Sequence, residues 1–147
     1  MKLNIFKGQS LFEVVFAIGI AAIVITGVTI VATISVRNST YSKNNAIATK
    51  YTQEQLEWLR GQRDAGWIAF TTNIGPACSG TFSWGAECLV DSLFKRKATY
   101  TCKDSSENNV ACTPSAVMVD VTVEVSWSDS QGNHTVNSST RFTNWNR

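Results

Sequence analysis

Glu13 is the one charged residue on the threshold of an apolar run that extends over residues 14–36 without another charge. An ionised carboxylate that enters hydrocarbon costs roughly 2.5–3.5 kcal/mol or more, so the chemistry open to Glu13 is pairing with a cation brought from elsewhere. Lys7 and Gly8 precede it, a basic leader that stops at a small residue. Four cysteines, Cys78, Cys88, Cys102 and Cys112, lie in the second half. An even count in a small exported domain is a disulfide pattern. Three connectivities are open. Cys78–Cys88 with Cys102–Cys112 is preferred because it closes two short loops of similar size, each worth about 3 kcal/mol in the chain-entropy model. Zinc fits poorly: no two cysteines are two to four residues apart, and no histidine lies beside them.

Little else could catalyse a reaction. His134 is the only histidine of the 147 residues and lies at the edge of an expected hairpin loop, a surface position. With the cysteines paired no thiolate remains, and no nucleophile elbow, phosphate-binding glycine loop or zinc-protease motif occurs. Asp129, Gly132 and Asn133 are too few to ligate calcium and are explained by a hairpin turn. Lys95, Arg96 and Lys97 form the one basic cluster, a candidate DNA contact. Three cations on a chain of net charge +2 favour a solvated strand end over a nucleic-acid partner. The expectation is a non-enzymatic protein with no metal and no cofactor.

These residues must be positioned by two kinds of element. Residues 14–36 exceed the ~20 needed to cross a bilayer core, and Lys2 and Lys7 before them keep the N-terminus cytoplasmic and send the rest outward. A conventional signal peptide, cut after Gly19-Ile20-Ala21, would strand residues 22–36 as an exposed apolar stub; a plain single-pass anchor leaves Glu13 unexplained. Small residues recur at Ala17, Ala21, Ala22, Thr26 and Gly27, a spacing that lets helices approach closely.

Beyond residue 36 the helix is expected to continue as an amphipathic segment over 37–66. Tyr41, Ile47, Ala48, Tyr51, Trp58 and Leu59 share a face with Leu56 at its rim, and Lys43, Lys50, Glu54, Glu57 and Asp64 lie opposite. The weak helix formers Asn38, Ser39, Thr40, Asn44 and Asn45 mark a place for a kink, and Gly66 suits a left-handed residue past the helix end. After Trp67 the alternation of Val117, Val119, Val121, Val123, Val125 and Trp127 with polar residues predicts a half-buried strand. Residues 128–133 read as a turn, 135–143 as the returning strand with Val136 and Phe142 inward, and 98–102 and 82–89 as shorter strands. The five tryptophans are expected in the core.

The order of Lys7, Gly8, Glu13 and the long apolar run resembles the type IV prepilins and pseudopilins. The stretch Glu57-Trp58-Leu59-Arg60-Gly61-Gln62-Arg63-Asp64-Ala65-Gly66-Trp67 is similar to the E-x-x-R-x-x-R-D-x-G-W ending of the long helix in minor pilins of the pilus-modification type. The resemblance implies an α+β fold, a long N-terminal helix packed on a small antiparallel sheet. It also implies a leader over 1–8, a transmembrane and filament-core helix over 9–36, its amphipathic continuation over 37–66, and an exported disulfide-stapled domain over 67–147.

A prepilin peptidase would cut between Gly8 and Gln9 and methylate Gln9. The family usually has phenylalanine at that first position, and a terminal glutamine can instead cyclise. Glu13 would govern assembly with other pilin subunits through the N-terminal helix. The chain would then sit in the cytoplasmic membrane before assembly and in a pilus-like filament at the cell surface or in the periplasm afterwards. A pseudopilin of a type II secretion or DNA-uptake system is the alternative, and a membrane-anchored exported domain the remaining one.

Overall fold

Pro76 is the first proline in the sequence, so no proline interrupts helical hydrogen bonding before it. A computed structural model of the chain describes residues 11–144, and in it one helix, α1, runs Leu11–Ala65. Two compact units divide the chain, Met1–Lys43 and Asn44–Arg147. The polar stretch expected to kink keeps its helical assignment. Asn44 is buried and Thr49 Oγ1 donates to Asn45 O at 2.8 Å along the helix, while Asn38, Ser39 and Thr40 stay helical although exposed.

The inward stripe of α1 differs from the expected face. Asn44, Ala48, Thr52, Gln55, Leu56 and Leu59 are buried, whereas Tyr41 is exposed and Ile47, Tyr51 and Trp58 are half-buried. Two of the polar residues on this stripe have their bonds met, Thr52 by Thr49 O on the helix itself and Gln55 by the facing chain. Gln55 Nε2 donates to Ser83 O at 2.9 Å and its Oε1 accepts from Ser83 N at 3.0 Å. A buried amide with both halves bonded carries no desolvation penalty of the kind an orphan would.

Gly66 is extended (φ 163°, ψ 123°) rather than left-handed, and its N–H reaches Arg63 O at 3.2 Å. A short helix unforeseen from the sequence, α2 (Trp67–Asn73), begins at once. Trp67 is buried, and its Nε1 donates to Ala116 O at 2.9 Å.

Seven strands follow: β1 (Cys78–Ser79), β2 (Phe82–Ser83), β3 (Cys88–Leu89), β4 (Lys95–Lys103), β5 (Asn109–Val110), β6 (Met118–Asp129) and β7 (Gly132–Thr143). β6 and β7 form a hairpin with an unbroken antiparallel register from Asp129↔Gly132 to Met118↔Thr143. β4 pairs along the other side of β6. The sheet order is β3-β4-β6-β7 with β5 also on β4, and β1 and β2 form a separate pair.

The single strand expected over 82–89 is two fragments around Gly85. That glycine has φ +133°, and a Cβ there would fall 2.6 Å from Gly75 O, so the backbone comes closer than any side chain allows.

The alternating stripe behaves as its spacing predicts. Val119, Val121, Val123, Val125 and Trp127 are at most 3 % exposed, and each valine so buried contributes about 2 kcal/mol. Leu56, Leu59, Trp67, Phe70, Trp84 and Phe142 close over the valines at one end; Ala48 and Phe94 meet Val125 and Trp127 at the other. Helix first and antiparallel sheet second, the architecture is α+β.

On the outer face of the sheet Arg141 holds Asp120 through Nε at 2.6 Å and Nη2 at 3.0 Å, and Lys103 Nζ lies 3.1 Å away. Arg141 also reaches Glu107 at 3.0 Å. Hydrogen bonds from Arg141 and then Lys103 bring the Asp120 carboxyl down to about 2. A lowered folded-state pKa adds stability that is complete above the unfolded value, ~4, and lost as pH falls through the folded one. Water screens this partly exposed pair, so the contribution is below about 1 kcal/mol. Asp120→Asn should therefore unfold more easily than the parent at neutral pH, with the gap closing between about pH 4 and pH 2. Urea unfolding of the full chain in detergent, followed by tryptophan fluorescence, checks this; a gap that persists at the acid end contradicts it.

Candidate functional site

In the first unit every described residue, 11–43, is exposed within the chain. The helix is long and apolar enough to cross a membrane: residues 14–36 rise ~34 Å at 1.5 Å each, against a hydrocarbon core of ~30 Å. Its threonine hydroxyls are already satisfied. Thr26, Thr29 and Thr33 donate to Ala22 O, Ile25 O and Thr29 O at 2.8, 2.8 and 2.9 Å, so none of the three presents an unmet donor to an apolar medium. Gly19 and Gly27 have open space where a side chain would stand, leaving shallow notches between exposed Phe12, Phe16, Val24 and Val31.

Glu13 lies in the first turn of α1, where the helix dipole favours a carboxylate. It is exposed and has no ion-pair partner among the described residues. Gly8 and Gln9, the expected cleavage and methylation positions, lie outside the described residues, as do Lys2 and Lys7.

The second unit separates the three clustered cations. Alternation along β4 points Lys95 and Lys97 outward and Arg96 inward, 1 % exposed. Arg96 donates to Tyr51 O at 2.7 Å and Thr81 O at 2.9 Å and lies 4.6 Å over the Phe82 ring. Lys95 pairs with Glu87 at 2.8 Å. Of the candidate DNA contact at Lys95, Arg96 and Lys97, strand parity takes the central cation into the core and leaves the two lysines exposed.

Cys78–Cys88 and Cys102–Cys112 are the bonds formed, the preferred pairing. The first ties β1 to β3 and the second ties β4 to the loop after β5. His134 is half-buried rather than a surface residue, with Nε2 3.0 Å from Asp129 Oδ1 and its ring 5.2 Å from that of Trp127. Asp129 is further engaged by Gln131 N at 2.7 Å. Glu57 pairs with Arg60, and Arg63 pairs with Asp64 at 2.7 Å and covers the Phe142 ring, so the charges of that helix end are structural. Trp67, Trp84 and Trp127 are buried and Trp58 stacks on Phe82 at 5.0 Å; Trp145 lies outside the described residues.

Sequence reasoning missed a cleft of about 260 Å³ beside β4, lined by Gly75, Pro76, Trp84, Lys97 and Tyr100 among others. Tyr100 Oη donates to Ser83 O at 2.9 Å, and burial raises its phenol well above the ordinary value. Only the Gly75-Pro76 pair gave a local signal, and it reads equally as a turn.

The burial of Arg96 generates a sharp contrast. Arg96→Ala removes two bonds from a buried guanidinium to backbone carbonyls and its packing on Phe82, and should destabilise the full chain by about 2–4 kcal/mol. Lys97→Ala should change stability by less than about 0.5 kcal/mol. Thermal unfolding of the two variants side by side measures the difference, and equal midpoints would contradict the buried role.

No protein-family model, curated protein or solved structure matches the chain at a significant level.

Proposed function

We propose that this chain is a minor type IV pilin-like structural subunit, processed by prepilin peptidase between Gly8 and Gln9 and assembled into, or priming, a pilus-like filament. The observation that carries this reading is Glu13, a carboxylate at the head of an uncovered apolar helix with no partner among the described residues. The α+β layout and the satisfied threonine hydroxyls of the apolar run are compatible with it.

Cleavage would free the Gln9 ammonium, and Glu13 of a neighbouring subunit would meet it as the helix leaves lipid for the filament core. At about 4 Å and an effective dielectric near 20 such a pair attracts by ~4 kcal/mol before desolvation is subtracted. The pairing also sets an axial register, because only one stagger brings the two charges together. Before assembly the subunit would cross the cytoplasmic membrane once with its N-terminus inside; afterwards it would stand in a filament at the surface or in the periplasm. The secretion-pseudopilus reading uses the same helix and the same pair. The DNA-uptake variant loses its one basic patch with the burial of Arg96.

Two measurements test the proposal. Mass spectrometry of the membrane-derived protein should find Gln9 as the first residue, methylated or cyclised; a chain still beginning at Met1 refutes processing. Glu13→Ala should be cleaved normally yet be absent from sheared filaments, and its normal incorporation would refute the charge-pair mechanism.

A further inference from the structure

β4 has one interrupted edge. Antiparallel neighbours alternate between pairs that exchange hydrogen bonds and pairs that do not, so the backbone groups of β4 point to β6 and away from it in turn. Ala98 N donates to Ser83 Oγ at 3.2 Å, away from β6, which places Arg96, Ala98, Tyr100 and Cys102 in the outward set. Arg96 is paired there with Cys88 of β3 and Cys102 with Val110 of β5. Between these two pairs no strand runs. Among the described residues no backbone bond closes on Ala98 O or on the N–H and C=O of Tyr100. Both disulfides hold the flanks, one through Cys88 and one through Cys102, so the gap is framed by cross-linked chain.

This interruption is where the 260 Å³ cleft lies. Gly75 and Pro76 bound it opposite β4, and Lys97 stands at its side with an exposed ammonium that has no ion-pair partner among the described residues. Unbonded backbone groups between two intact rungs are what an added strand completes, and an adjacent free cation selects a carboxylate beside it.

We propose that the β4 cleft is a binding site for a short extended segment of another polypeptide, two or three residues long with an acidic side chain or C-terminus. The segment exchanges backbone hydrogen bonds with Tyr100 and sets its carboxylate against Lys97. The site belongs wholly to the second unit, so it stands or falls independently of the filament reading.

The test uses the full-length ¹⁵N-labelled protein in detergent micelles and the probe peptide acetyl-Thr-Val-Asp, with acetyl-Thr-Val-Asn-amide and sodium acetate as controls. The Tyr100 amide should shift on titration with the acidic peptide and gain protection from hydrogen exchange. The amide control should bind about three-fold more weakly, as should the acidic peptide to Lys97→Ala, the size expected of one exposed ion pair. Gly75→Val should abolish the Tyr100 response while leaving the fold intact, because a Cβ at Gly75 meets nothing within 4 Å and the longer side chain fills the cleft. A Tyr100 amide unmoved by the peptide overturns the proposal, as does acetate reproducing the full response. A Tyr100 shift that follows protein concentration without peptide also overturns it, by making a second copy the occupant.

Discussion

The second unit depends on burying one face of one strand. β6 lies between β4 and β7, and its Val119, Val121, Val123, Val125 and Trp127 all point to the same side. A one-residue slip would exchange those five apolar side chains for Asp120, Thr122, Glu124, Ser126 and Ser128. Register on both sides of β6 is therefore determined by a single pattern, and the unbroken pairing with β7 follows from it. The helix has to cover this face. Leu56 and Leu59 do so at one end and Ala48 at the other, one turn-spaced stripe answering one alternating stripe.

Polar residues then decide which part of the irregular chain sits where. Apolar contact is tolerant of sliding, whereas Gln55 bonded to both backbone atoms of Ser83 is not. Ser83 passes the constraint on, with its hydroxyl bonded to Ala86 O, Gly85 N and Ala98 N. Arg96 does the same from β4, binding Tyr51 O on the helix and Thr81 O in the β1–β2 turn. In a domain of this size the core alone gives limited stability. Two disulfides and this set of buried bonds supply the remainder: Cys78–Cys88 closes the segment 75–88 on itself, and the bonds from Arg96, Ala98 and Tyr100 hold that segment against β4.

Legibility in the sequence followed the range of the interactions. The β6 alternation, the returning strand, the extent of α1 and the cysteine pairing could all be read, because each is a local period or a short loop closure. The inward face of α1 was misjudged because hydropathy counts Asn44, Thr52 and Gln55 as outward, while Gln55 is held inward by a partner 28 residues away and Thr52 returns its hydroxyl to Thr49 O. Arg96 was misread for the same reason: in a run of three cations nothing local marks the middle one as inward, although the parity of β4 does once its register is known. α2 and the paired fragments β1–β2 are too short to leave a period at all. The cleft beside β4 is a product of what fails to pair, and no residue pattern encodes an absence.

The two units solve opposite problems with one sequence. The second satisfies nearly all of itself: its stripe is covered, its central cation is bonded and its cysteines are joined. The described part of the first, residues 11–43, is helical and bonds its three apolar-run threonines to its own backbone but covers none of its side chains, and it carries one carboxylate with no described partner. An apolar helix of that length is costly as an uncovered surface in water, and in the proposed reading lipid encloses it first and other helices afterwards. Either enclosure suits the apolar residues about equally, since lipid tails and packed aliphatic side chains differ little as solvents for them. The choice between the two then falls to the groups that lipid serves badly. Glu13 is that group, and in the proposed reading a single unmet charge is enough to tip a helix from membrane to polymer.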